Sequence, residues 1–375
     1  MSVAINGTDG ITYNDGSLQP SAPVGKNLII NGDMQIAQRA TSVTGITTGG
    51  YYTVDRWKHQ LSGGGTYTQA QTALTSSDAP FADGFSQSVK YDCTTAYTSA
   101  NSFNVHRQII EGQNLQQLAY GTSSAKSLTL SFWVKSNVTG TAVASLYSVD
   151  SNKQISQTYT IDATNTWEYK IVTFAGDTAS AFDNDNAASL YVNLVMATGT
   201  DYTSGTLPLT WTTYANANFA AGQTIDISAS TSNEIAFTGV QLEVGTTATP
   251  FEHLQYGQQL ALCQRYLQSS WSQGSAIGSA VGLATNSVQQ SWGSLNAGIA
   301  GQAFLLPVTM RTSPTLVVYD LVLTTGKVTT LGNGAAATNN ISANNSATTT
   351  NMFYVRLYAN NQAGMVFAYT LTAEL

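Results

Sequence analysis

The chain has 375 residues, more than one ordinary domain holds and enough for two or three cores, which excludes a small disulfide-stapled scaffold. Charged residues supply only 9% against 42% hydrophobic, so the polar surface must come from Thr, Ser, Asn, Gln and Gly, and 19 Tyr with 32 Gly favour strands and turns over helices. A net charge of −7 with scattered cations excludes a nucleic-acid footprint; no apolar run approaches the roughly 18 residues of a membrane span, and the first residues lack the pattern of a signal peptide.

Residues 1–25 read as an extended arm. Ile5, Ile11, Tyr13 and Leu18 stand among the turn pairs Asn6-Gly7, Asp9-Gly10 and Asp15-Gly16, and Pro20 and Pro23 close the segment. Too small to bury a core, it needs its own body, identical arms or an adaptor to pack against. From residue 26 to 250, strand patterns recur at NLIING, YTVDRWKHQL, SLTLSFWVKSNV, TWEYKIVTF, SLYVNLVM and EIAFTGVQLEV. Alternation is clearest where Leu128, Leu130, Phe132 and Val134 face one way and Thr129, Ser131, Trp133 and Lys135 the other. Six or more strands without a βαβ rhythm predict an all-β chain whose central body is an antiparallel jelly-roll β-sandwich, with a barrel as the structural alternative.

One helix is expected, over 251–268, within a connector spanning 251–270. Tyr256, Leu260, Cys263 and Leu267 recur at helical steps just after Pro250. This stripe packs either on the chain's own sandwich or against its copies as an oligomer seam. Residues 271–375 then form a second, C-terminal β-domain with strands in FLLPVTMRTSPTLVVYD, GKVTTL, MFYVRLYA and GMVFAYTLTAEL; 333–350, almost wholly small and polar, reads as a long surface loop.

Reactive chemistry is sparse. His106 has Arg107 and Glu111 nearby but reads as a polar edge or loop cluster, His253 as a hydrogen-bonded structural histidine, and no nucleophile motif or paired carboxylates can be identified. DNDN at Asp183–Asn186 has a calcium-like alternation but lacks the glycine and later glutamate of a calcium loop, so no metal or other cofactor is expected. Asp33 reads as a turn cap and Asp55 as the ion-pair partner of Arg56, while Cys93 and Cys263 read as core thiols. Trp57, Trp133 and Trp167 sit in strand patterns, where core packing is the default. Trp211, Tyr214, Trp271 and Trp292 lie in freer contexts and are the candidate glycan or interface aromatics.

The segments NLIINGDMQIAQRATS, YTVDRWK, GTSSAKSLTLSFWVKSNVTGT, TWEYKIVTFAGDT, FTGVQLEVGTTATPFEHLQYGQQLALCQRYL and LPVTMRTSPT, in this order over about residues 26–315, resemble a family of phage tail-fibre and virion structural proteins. GITYNDGSLQPSA resembles the N-terminal signature of many tail fibres. In that family the body is similar to jelly-roll carbohydrate-binding modules, whose opening strand has the form of Asn27–Gly32. The resemblance implies a non-enzymatic virion protein, a tail fibre assembled in the host cytoplasm. Its arm would join other virion proteins, its copies would form a homotrimer, and its exposed surface would contact host glycan without membrane insertion. Two alternatives stay open: a head fibre or capsid decoration protein, and a depolymerase of envelope polysaccharide.

Overall fold

The structure is a computed structural model that describes the chain apart from residues 1–3, 7–9, 13–17, 20–24, 281–285, 296–298, 333–337 and 359–361. It gives backbone alone for 4–6, 10–12, 18–19, 292–295, 299–301, 332, 339–340, 344–347, 357–358 and 362–363. With 44% strand and 9% helix it is an all-β protein.

Two antiparallel sheets form the jelly-roll body. One runs in the order Glu168–Phe174, Leu128–Ser136, Glu234–Val244, Gln87–Thr95, Thr66–Ala73 and Ser42–Ile46. The other runs Thr212–Thr213, Lys153–Ile161, Gly140–Ser148, Ala188–Thr198, Phe103–Glu111, Trp57–Ser62 and Gly50–Tyr51. The period-2 pattern decides which residues lie between them: Leu128, Leu130, Phe132 and Val134 are fully buried and meet Leu146, Val192 and Leu194 of the facing sheet. Each such side chain contributes about 1.5–3 kcal/mol through burial. Trp57 is buried in the same core, its indole N–H donating to Asn31 O at 2.9 Å.

Several expectations are corrected by tertiary contacts. NLIING forms no strand; its backbone runs beside Glu234–Val244 through single bonds, Leu28 N to Leu242 O and Val240 N to Gly32 O, both 2.9 Å. The helix occupies only Tyr256–Gln264. Residues before it are held extended because Glu252 accepts from the backbone N–H groups of Gly25 and Asn27 and its own N–H donates to Gln241 Oε1. Beyond it, Leu267 has left the helix and pairs with Thr372 in a strand. Within the expected loop 333–350, Thr338–Thr348 is a strand between Lys327–Gly332 and Met352–Tyr358; residues 333–337 lie outside the described residues.

The C-terminal part is an eight-stranded sheet organised on the last strand, Gln362–Thr372. Its first half pairs with Val288–Leu295 and Lys327–Gly332, its second half with Leu267–Ser269 and Thr315–Tyr319. Met310, Val318, Val328, Phe353, Val355, Met365 and Phe367 form its core. The sheet meets the sandwich through a charged junction. Arg56 pairs with Glu374, Arg265 bridges Glu111 at 2.7 Å, and Arg311 donates to the carbonyls of Asn186 and Ala373. The arm strands Ala4–Asn6, Gly10–Thr12 and Leu18–Gln19 pair with one another; the side chains of Ile5, Ile11, Tyr13 and Leu18 lie outside the described residues.

Candidate functional site: an aromatic cleft on the outer face of the six-stranded sheet

The strand pattern that buries Phe132 and Val134 turns Trp133 to the opposite face. There Trp133 is the cross-strand partner of Tyr169, with ring centroids 5.4 Å apart. Opposite Phe132 the neighbouring strand carries one extra residue, because Ser131 pairs with Gln241 and Trp133 with Thr238. Gly239 makes this bulge possible: its φ is +60°, and a Cβ there would lie 2.7 Å from the Phe85 ring. Phe85 therefore packs into the bulge and forms the floor.

The other wall is the extended segment after the Glu234–Val244 strand. Phe251 meets Phe85 edge to face at 4.8 Å, and His253 lies 5.0 Å from Phe251 while its Nε2 is 2.9 Å from Asp83 O. Together with Ile171, Ala248, Thr249 and Pro250 these residues enclose a cleft of about 460 Å³. Tyr169 is 43% and Ile171 52% exposed, an apolar area left open to solvent. Among the described residues the Trp133 indole N–H has no partner and is shielded from solvent, and burial raises the Tyr169 hydroxyl above its ordinary pKa.

Aromatic faces beside an exposed carboxylate suit a pyranose ring, whose C–H face stacks and whose hydroxyls need partners. Among the lining residues Asp83 is the single carboxylate, so the cleft does not hold the acid pair, about 5–10 Å apart, of a glycoside hydrolase.

The residues singled out in the sequence lie elsewhere. Trp211 is half-buried at the rim of the main core, its N–H donating to Ala175 O at 2.7 Å. Trp271 is only 4% exposed, packed edge-on against Tyr319 within the C-terminal body, so it is not a free contact residue. The Trp292 side chain lies outside the described residues. Tyr214 is half-buried over the seven-stranded sheet, 5.1 Å from Tyr147. Of the stripe, Cys263 and Leu267 are buried in this chain, Leu260 is half-buried and Tyr256 is 47% exposed. Trp167 is buried on the same outer face as Trp133, its N–H donating to Asp78 Oδ1. Trp133 thus departs from the core default, and its side of the alternation was the signal for it.

His106 is not at an edge. It is fully buried between the sheets, stacked 4.0 Å from Trp57, with Nδ1 2.6 Å from the Tyr91 hydroxyl; its sequence neighbour Arg107 faces outward. His59 beside it bonds Asn104 Oδ1 at 2.8 Å, and burial drives its pKa down to about 4. Asp55 pairs with Arg39 at 3.7 Å and with Gln38, whereas Arg56 turns to Glu374. Cys93 and Cys263 are buried free thiols. In DNDN the Asp183 backbone N–H donates to Asp150 Oδ2 at 3.0 Å, and Asp185 Oδ1 makes a turn bond, accepting from Ala187 N. Among the described residues no three His, Cys, Asp or Glu side chains group as a metal site, and no helix is long and apolar enough to cross a membrane.

No protein-family model and no curated protein matches the sequence. Solved structures similar to it include the enzymatically active domain of bacteriophage CBA120 tailspike protein 4 (14% identity, TM-score 0.30, covering 58% of this chain and 21% of that one). A Bacteroides thetaiotaomicron protein described as sugar-binding has 13% identity and a TM-score of 0.30, covering 58% of this chain and 99% of its own. The family 11 carbohydrate-binding module of Clostridium thermocellum, in complex with a mixed-linked tetrasaccharide, has 12% identity and a TM-score of 0.26, covering 55% and 99%. The chain spans about a fifth of the tailspike domain's length, and the fold assignment rests on the two sheets themselves.

Proposed function

We propose that this protein is a non-catalytic glycan-binding component of a phage particle, a tail fibre or related appendage that attaches to the host surface. The observation carrying the binding reading is the Trp133–Tyr169 aromatic wall, open to solvent and facing Phe251, His253 and Asp83 across the cleft. The virion reading is supported by the motifs resembling tail-fibre proteins and by an arm whose strands pair with one another. Threefold assembly belongs to the same reading: Tyr256 and Leu262 remain exposed on the helix, where a neighbouring copy would cover them. Weak individual contacts then combine through multivalency.

The test is glycan-array screening of the whole protein, followed by titration of the best ligand into wild type and Trp133→Ala. Loss of binding in a variant that melts like wild type supports the reading. Unchanged affinity, or release of reducing ends from envelope polysaccharide by the wild type, overturns it. Antibody against residues 271–375 should label tails in micrographs of intact particles. Label on heads moves the protein to the head-fibre alternative, and a monomer mass by light scattering removes the trimer.

A further inference from the structure

A second feature lies on the outer face of the seven-stranded sheet. Lys58 and Arg107 are direct cross-strand partners, so two cations stand side by side. Adjacent like charges repel, and burial adds a desolvation cost. Both effects are visible: burial lowers the Lys58 ammonium pKa and Arg107 lowers it further, while burial pulls the Arg107 guanidinium down to about 10. Among the described residues neither has a carboxylate within 4 Å. Glu374 acts on Lys58 from a distance but is engaged by Arg39 and Arg56.

Arg107 is nevertheless held firmly. Its Nε donates to Asn193 Oδ1 at 2.6 Å, and its guanidinium carbon lies 4.6 Å from the Tyr191 ring centroid and 5.8 Å from that of Phe103. Among the described residues the terminal nitrogens have no hydrogen-bond acceptor. Tyr191, Tyr147 and Tyr214 continue from it as a row of half-buried rings, with centroids 5.5 and 5.1 Å apart. Tyr147 is fixed by its hydroxyl bond to Asn152. A planar cation with its fork free, a second cation beside it and a floor of tyrosine faces match one ligand chemistry. The fork takes a carboxylate with two parallel bonds, and the rings take the apolar face of the sugar carrying it.

We propose that Arg107 and Lys58, with Tyr191, Tyr147 and Tyr214, form a second binding site, separate from the Trp133 cleft, for a carboxylate-bearing saccharide. The site does not depend on glycan binding at Trp133, because the two lie on the outer faces of different sheets.

Calorimetric titration of the whole protein with trigalacturonate, a hyaluronan tetrasaccharide and sialyllactose, each beside its carboxyl-reduced counterpart, tests this. At least one acidic saccharide should bind, with the reduced form at least about tenfold weaker and with affinity falling as salt rises. Lys58→Gln and Arg107→Gln should each weaken binding about tenfold, while Lys126→Gln, at an exposed lysine outside both sites, leaves it unchanged. Lys58 is half-exposed, so its variant keeps the test decisive if Arg107→Gln fails to fold. The proposal is overturned if none of the acidic saccharides binds, if acidic and reduced forms bind alike, or if Trp133→Ala abolishes binding. Equal affinity for sodium acetate alone would leave an unspecific anion site and equally overturn it.

Discussion

The guanidinium carbon of Arg56 lies 3.4 Å from the ring centroid of Tyr266, so a cation of the sandwich is stacked on the first residues after the helix. The same Arg56 pairs with Glu374 and donates to Ile109 O at 2.7 Å, and Tyr266 donates to Glu111. Sandwich, connector and chain end thus share one buried cluster in which the side chains of Arg56 and Glu374 are 1% and 7% exposed.

Removing one partner from that cluster leaves a charge without compensation in a dry site. Glu374→Gln should cost about 3–5 kcal/mol in urea unfolding and expose the Gln362–Thr372 strand to amide exchange. A cost below about 1 kcal/mol would show that Tyr266 and the Ile109 carbonyl suffice.

The Trp133 cleft separates binding from stability. Tyr169 is 43% exposed and outside the inter-sheet core, so Tyr169→Ala should weaken the selected glycan about tenfold while shifting Tm by no more than a few degrees. Phe132→Ala, one residue from Trp133 but fully buried, should instead destabilise by about 3–5 kcal/mol. Calorimetry and thermal melts on the two variants separate these effects; a reversed pattern would move the binding surface elsewhere.

Acid should weaken the fold through the buried histidines. His59 has a folded pKa of about 4, and that of His106 is also lowered, both by burial, against an ordinary 6.5. Between those values the unfolded chain binds protons that the folded chain refuses. Stability present above about pH 6.5 is therefore lost as pH falls toward 4, by up to about 1.4 kcal/mol per pH unit for His59, and His106 acts in the same direction. Asp55 opposes this: burial raises its carboxyl to about 6, so the folded state takes its proton first and gains relative stability as pH drops from about 6 toward 3.8. Subtracting the urea-unfolding profile of His59→Gln from that of wild type isolates the His59 share. Parallel profiles from pH 7 to 4 would refute it.

Gly32 admits no side chain. A Cβ built there would lie 2.0 Å from Val240 O, the carbonyl that also accepts from the Asn27 side chain at 3.3 Å. Gly32→Ala should therefore cost about 1–3 kcal/mol through displaced backbone, read as a lowered urea midpoint. A wild-type midpoint would mean that the Lys26–Gly32 segment can shift without loss.

Period-2 alternation was enough to assign an all-β chain, to place Leu128, Leu130, Phe132 and Val134 in the core and to put Trp133 on the other face, because pleat geometry sends successive side chains to opposite sides whatever surrounds them. Strands such as Phe103–Glu111 and Thr338–Thr348 escaped notice because their alternate positions hold His, Asn, Gln or Ser, which become strand residues only when a partner supplies their hydrogen bonds. The helix was placed correctly at its centre and wrongly at both ends, where Glu252 and Leu267 find tertiary partners stronger than a further helical turn. Neither candidate site could be read along the chain. Trp133, Phe85 and Phe251 are far apart in sequence, as are Lys58, Arg107, Tyr147 and Tyr191; the Gly239 bulge and the segment after Val244 bring the first set together, and register across antiparallel strands the second. Local alternation determined which way each side chain points; long-range pairing alone decided which side chains meet.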